Sequence, residues 1–285
     1  MSSKEENWDW EIKSKSVFWN LNIQGLLSYR HLLLSMVRRD FMLNFRQTIL
    51  GPIWLLAQPV LTLIIYVFVF GRMIGLSKGL NLPPVLFYFS GIILWNFFND
   101  TFSGVSRTFR DNVHLFSKVY FPRIIMPLAN STTHLMRLSI QLLVLLLLIG
   151  WYDLAETYSV SIGWWNLLFP LAVLSIGLLS FSLGLIVSII TAKYRDIANL
   201  VDVCIRLLFF ITPVLYPISY VKEDLRWIVG LNPLTPLFEL ARVGLYNEGA
   251  ISSGNLLYAA GFIVISLVAA LLMFNKKANS LIDVI

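Results

Sequence analysis

The sequence is poor in charge: Asp, Glu, Lys and Arg make up 13% of its 285 residues, against roughly a quarter in ordinary soluble domains. Cysteine is nearly missing. Cys204 stands alone, which excludes an intramolecular disulfide and any multi-cysteine metal site. The three histidines, His31, His114 and His134, fall at no metal-ligand spacing of the HExxH kind. There is no GxxxxGK[ST] loop to cradle nucleotide phosphates and no GxSxG nucleophile elbow. An enzyme is hard to build from this inventory, so no catalytic residue, metal ligand or cofactor is expected in the chain. Residues 1–46 also lack the short apolar core and small-residue cleavage site of a secretory signal, leaving the first long apolar segment as an uncleaved insertion signal.

What is abundant is apolar sequence, at 57% of residues. The net charge of +6 is spread over it, a pattern of lysines and arginines holding cytoplasmic loops against anionic lipid; no nucleic-acid partner is expected. A helix needs about 20 mainly apolar residues to cross a bilayer. Charge-free runs at 47–71, 79–99, 157–192 and 249–275 are long enough, whereas those at 138–152 and 207–221 must extend backwards over Arg137 and over Asp202 with Arg206. The expected fold is an all-α membrane protein with six transmembrane helices, near 51–72, 84–105, 124–149, 165–191, 197–217 and 256–274. A cytoplasmic segment, 1–50, carries an amphipathic interface helix and precedes the six-span domain, 51–285. With both termini in the cytoplasm, fifteen Lys and Arg lie inside and five outside, which sets that orientation.

Several segments point to function. Over 21–47, polar Gln24, Ser28, His31, Ser35, Arg38, Arg39 and Arg46 recur at helical spacing opposite Leu26, Leu33, Val37 and Phe41, an interfacial helix that serves as lipid anchor or docking surface. "SRTFRDNVHLFSKVYFPR", 106–123, is a short cytoplasmic helix whose Phe109, Phe116, Tyr120 and Phe121 need cover from a membrane or another protein. Residues 212–245 break into helical pieces near 222–229 and 234–245 at Gly230 and Pro233. That pattern fits half-helices dipping back from the outer face to line a pathway. Intramembrane charges are costly. Asp202 and Arg206, four apart, are expected to pair, as are Asp100 and Arg137, with contact to an anionic substrate as the alternative. Ser180, Gly184, Ser188 and Ala192 form a small-residue stripe for close helix packing. Aromatic residues at Trp54, Tyr66, Phe70, Trp95, Phe97, Phe98, Phe102, Phe209, Phe210 and Tyr216 include a subset that, turned inward, offers flat faces to sugars.

Five landmarks in order resemble the permease subunits of bacterial ABC transporters that export polysaccharides, among them O-antigen, capsule and teichoic acid. They are "RRDFMLNFRQTILGPIWLLAQP" at 38–59, "KVYFPRIIMPLAN" at 118–130, "KYRDIANLVDVCIRLLFFITPVLYP" at 193–217, "NPLTPLFELAR" at 232–242 and the tail "SLIDVI". The resemblance implies a homodimer in the bacterial inner membrane, bound to two ATPase subunits that carry the ATP and Mg, moving a lipid-linked glycan outward. It implies that Arg107, Arg110, Asp111, Phe116 and Lys118 couple to the ATPase. Gly230, Pro233 and Pro236 become an outer gate. Trp54, Tyr66, Trp95, Phe98, Phe209, Phe210 and Tyr216 line a channel, and Arg38, Arg39 and Arg46, with Asp40 beside them, meet lipid or substrate phosphate. Two alternatives are a small-molecule exporter of the same architecture and a membrane-embedded glycosyl- or acyl-transferase.

Overall fold

The computed structural model describes residues 28–277 apart from 44, 47, 77–80, 113–120, 157, 159–162, 193, 195 and 250. Among these residues the regular structure is entirely helical. Helix α1, Arg30–Leu43, presents Leu32, Leu33, Met36 and Val37 to Phe121 and to Ile125, Met126 and Ala129. Its apolar side is therefore seated on the chain itself, while Arg38 stays exposed. The passage into the first span turns at Gly51, whose φ of +53° is the left-handed region open to glycine. Pro52 follows in the short 3-10 turn Gly51–Ile53, where its missing N–H matters least. Helix α2, Trp54–Tyr66, begins at once and continues as a π-helix over Val67–Met73.

Pro59 sits inside α2, and having no N–H it leaves the carbonyl of Leu55 without its helical partner. Gln141, from the third long helix, repairs this: its Nε2 donates to Leu55 O at 3.1 Å. Gln141→Leu strands that carbonyl in apolar surroundings and is expected to cost about 1–2 kcal/mol, measured as a lower Tm of the purified protein in detergent. An unchanged Tm would remove the repair from the account.

The remaining helices are α3 (Pro84–Asp111), α4 (Ile125–Leu154), α5 (Leu168–Thr191), α6 (Asp196–Ile211), α7 (Glu223–Gly230), α8 (Leu234–Tyr246) and α9 (Ser253–Lys277). α5 is the hub, packed against α3, α8 and α9. The small-residue stripe explains how: Ser180, Gly184 and Ser188 are buried, and a Cβ on Gly184 would lie 2.8 Å from Phe102 O. The stripe is thus the α3–α5 seam within one chain. Phe109 is covered from α5 and α9, with Phe181, Leu185 and Phe274 around it. Phe121 is covered by α1 and α4. These two aromatics of the 106–123 segment therefore need no external surface.

Four helical segments are long and apolar enough to cross a membrane: Gly51–Met73, Ile125–Leu154, Trp164–Thr191 and Ser253–Lys276. The two other expected spans differ from these for identifiable reasons. α3, at 28 residues, is about 42 Å long but carries polar residues along one side. α6 has 16 residues, about 24 Å, and is short of a full crossing by itself.

The break between α7 and α8 falls at Leu231–Pro233, close to where Gly230 and Pro233 predict it. Its polar groups are satisfied internally. Asn232 Nδ2 donates to Thr212 Oγ1 at 2.8 Å, Leu234 N–H donates to Asn232 Oδ1 at 3.0 Å, and the Thr235 hydroxyl donates to Val229 O at 2.7 Å. Pro236 is buried in the first turn of α8.

Candidate functional site

A polar cleft of about 580 Å³ lies between α2, α3 and α6. α3 supplies Asn96, Asn99, Ser103 and Arg107, spaced three or four apart and so stacked along one helical face. From α6 come Asp202, Ile205, Arg206, Phe209 and Phe210 at the same periodicity, and from α2 come Thr62 and Tyr66. The rings touch across the helices. Trp95 and Phe209 centroids are 5.2 Å apart, Tyr66 and Phe209 6.2 Å, and Phe209 and Phe210 5.4 Å. These separations are normal for edge and tilted ring contacts. Aromatic surface, carboxamides and charge thus share one cavity, a mixture suited to polyhydroxylated ligands.

The charges of the cleft pair differently from the i, i+4 expectation. Asp202 does not take Arg206. Its oxygens Oδ1 and Oδ2 accept from Arg107 Nη2, across the cleft, at 3.0 and 2.9 Å. A partner on the facing helix meets the carboxylate head-on, which a neighbour one turn along the same helix cannot do here. Arg107, expected beside the ATPase, is therefore part of the cleft wall. Arg206 lines the cleft without a hydrogen bond or ion pair among the described residues. Arg137 and Asp100 do approach one another, at 3.9 Å between α4 and α3. Around them Thr101 Oγ1, Asn130 Oδ1 and His134 Nδ1 are buried without a hydrogen-bond partner among the described residues.

Four of the seven expected channel aromatics, Tyr66, Trp95, Phe209 and Phe210, meet in the cleft. Three do not. Trp54 is exposed on the outside of α2, and Phe98 is fully buried in the core. Tyr216 turns its hydroxyl back onto the carbonyls of Phe210 and Ile211, each at 3.1 Å. Asn96, Asn99, Ser103 and Thr62 were missed by counting charges and rings. The polar periodicity of α3 is the signal that reveals the first three.

A second pocket, of about 210 Å³, lies at the other end of α3 against α8 and the 217–219 and 248–249 segments. Here Arg242 Nη1 donates to Glu239 Oε1 at 2.7 Å, Nη2 donates to Pro213 O, and the guanidinium carbon stands 4.2 Å from the Phe87 ring centroid. Both charged side chains are almost wholly buried. The pair pins α8 to the 212–217 segment and to α3. Burial raises the nearby Glu248 carboxyl above the usual carboxylate range.

At the C-terminal end of α3, Arg110 and Asp111 form an exposed adjacent pair at 3.4 Å. Phe116 and Lys118 lie outside the described residues. In α1, Arg39 pairs with its neighbour Asp40 at 2.8 Å. Arg46 is exposed. Among the described residues no three His, Cys, Asp or Glu side chains gather where a metal ion could be held.

Known proteins are similar in sequence to this chain over most of its length. It is 28% identical over 258 residues to the O-antigen export system permease protein RfbA of Myxococcus xanthus, covering 90% of this chain and 95% of that one. A protein of the same name from Klebsiella pneumoniae is 27% identical over 252 residues, covering 86% and 91%. The polysialic acid transport protein KpsM of Escherichia coli is 23% identical over 245 residues, covering 86% and 92%. The family model described as ABC-2 type transporter matches residues 31–246, and the chain belongs to that family.

Proposed function

We propose that this chain is the membrane-spanning permease subunit of an ATP-driven exporter that moves a lipid-linked polysaccharide, an O-antigen, across the bacterial inner membrane. The observation that carries the reading is the cleft, in which Tyr66, Trp95, Phe209 and Phe210 stand beside Asn96 and Asn99. Ring faces stack on sugar C–H faces without reading one particular sugar. Carboxamides exchange hydrogen bonds with whichever hydroxyl arrives. Successive units can therefore slide past. The names of the relatives support the cargo class. A transferase would need an acid or base at the same place, and Asp202, the one carboxylate lining the cleft among the described residues, is neutralised by Arg107.

In this reading α3 and α6 complete a six-span bundle with both termini in the cytoplasm. Two copies of the chain enclose the conduit, and two ATPase subunits bear on the cytoplasmic face through Arg110, Asp111, Phe116 and Lys118. ATP changes the conduit only by binding its open and closed forms differently, so the coupling segment after α3 must carry that difference inward. α7 and α8, joined through Gly230, Pro233 and Pro236, form the outer gate. Deleting the gene is expected to abolish surface polysaccharide while lipid-linked glycan accumulates on the inner leaflet, both restored by the intact gene. Wild-type surface polysaccharide in the deletion strain would refute the function.

A further inference from the structure

The cleft holds a positive charge that the described chain leaves unanswered. Arg107 and Arg206 face a single carboxylate there, and both oxygens of Asp202 are engaged by Arg107 Nη2 at 3.0 and 2.9 Å. Arg206, one turn further along α6, is exposed into the same cavity. It lies ten residues beyond the start of α6 at Asp196, about 15 Å along the helix axis; in the export reading α6 is a membrane helix, where an uncompensated charge is costly. The other polar wall residues, Thr62, Asn96, Asn99 and Ser103, are neutral. Neutral amides and rings already serve a neutral glycan. The added cation is useful only toward an oxyanion, and a guanidinium fork matches the oxygens of a phosphate.

We propose that Arg206 binds the phosphate of the substrate's lipid carrier, holding the diphosphate-linked end in the cleft with the first sugars against Trp95 and Phe209. The inference rests on the export reading above and names the group of the lipid-linked glycan that this cleft recognises. A phosphate carried within the polymer offers the same chemistry, and the two sources separate by experiment.

The permease, purified with its ATPase in nanodiscs of neutral lipid, is titrated with a polyprenyl diphosphate bearing no sugar, with a lipid-free neutral glycan, and with a lipid-free phosphorylated glycan. Arg206→Gln is expected to weaken the polyprenyl diphosphate on the order of tenfold to a hundredfold, the worth of a charge-assisted hydrogen bond, and to flatten its salt dependence. Arg206→Lys restores part of the affinity, and the neutral glycan is unaffected. Asp202→Asn, which releases Arg107, tightens the diphosphate. Wild-type affinity in Arg206→Gln overturns the proposal. So does a loss of dimer stability with affinity intact, which would give Arg206 a carboxylate on the second copy. A response confined to the phosphorylated glycan overturns the carrier as the source. Because the first probe contains no sugar, its loss in Arg206→Gln stands even if the deletion strain keeps its surface polysaccharide, so the site and the export function fail separately.

Discussion

Arg242→Met is expected to destabilise the permease by about 3–5 kcal/mol, the cost of removing one member of a buried ion pair. Glu239 and Arg242 have side-chain exposures of only 5% and 6%. Removing the guanidinium leaves the Glu239 carboxylate without its 2.7 Å partner, the Pro213 carbonyl without its donor, and the Phe87 ring without its cation. Against a total stability of roughly 5–15 kcal/mol for a folded domain, such a loss shows as a collapse of folded yield and of Tm in detergent. The double variant Glu239→Leu with Arg242→Met removes both charges together and is expected to recover most of the stability, because an apolar pair of similar volume often matches a buried salt bridge. If Arg242→Met melts with the wild type, the pair does not hold α8 in place.

Gly244→Leu is expected to cost near the top of the ~1–3 kcal/mol range for overpacking. A Cβ at Gly244 would meet the backbone nitrogen of Phe169 and lie 2.8 Å from its Cα. Backbone cannot rotate aside, so α8 and α5 must separate. That movement also stretches the bond from Asn166 Nδ2 to Gly244 O, now 2.9 Å. Gly261 in α9 is the matched control: among the described residues no atom beyond its own helix backbone lies within 4 Å of a Cβ built there, and Gly261→Leu should leave Tm unchanged. Equal effects at both positions would remove the close approach as the cause.

Much of this architecture is legible in the sequence because membrane segments announce themselves by what they omit. The elbow at Gly51, the break between α7 and α8, and the close approach of the small residues of α5 all follow from residue type, since each depends on local backbone geometry. The partners of the charges do not. The i, i+4 spacing of Asp202 and Arg206 allows a pair on one helix, yet Arg107, 95 residues away in the chain, takes the carboxylate. Among the rings, Trp54 and Phe98 are of the same kind as Trp95 and Phe209, and only tertiary packing decides which of them faces the cleft. The Glu239–Arg242 pair was within reach as an i, i+3 spacing of opposite charges. Its burial was not, because nothing local distinguishes α8 from a surface helix.

α6 contributes no buried residue to the chain, whereas α3, on the opposite wall, is buried along most of its length. Among the described residues α6 meets the core only through the partly buried Ile205, Leu208 and Phe209, so moving it outward disturbs fewer buried side chains than shifting α3 would. The cleft thus has a fixed jamb and a looser leaf, latched by the Arg107–Asp202 contact and by Phe209 against Trp95 and Tyr66. Widening the cleft requires the ion pair and these ring contacts to yield together, while the core behind α3 stays shut.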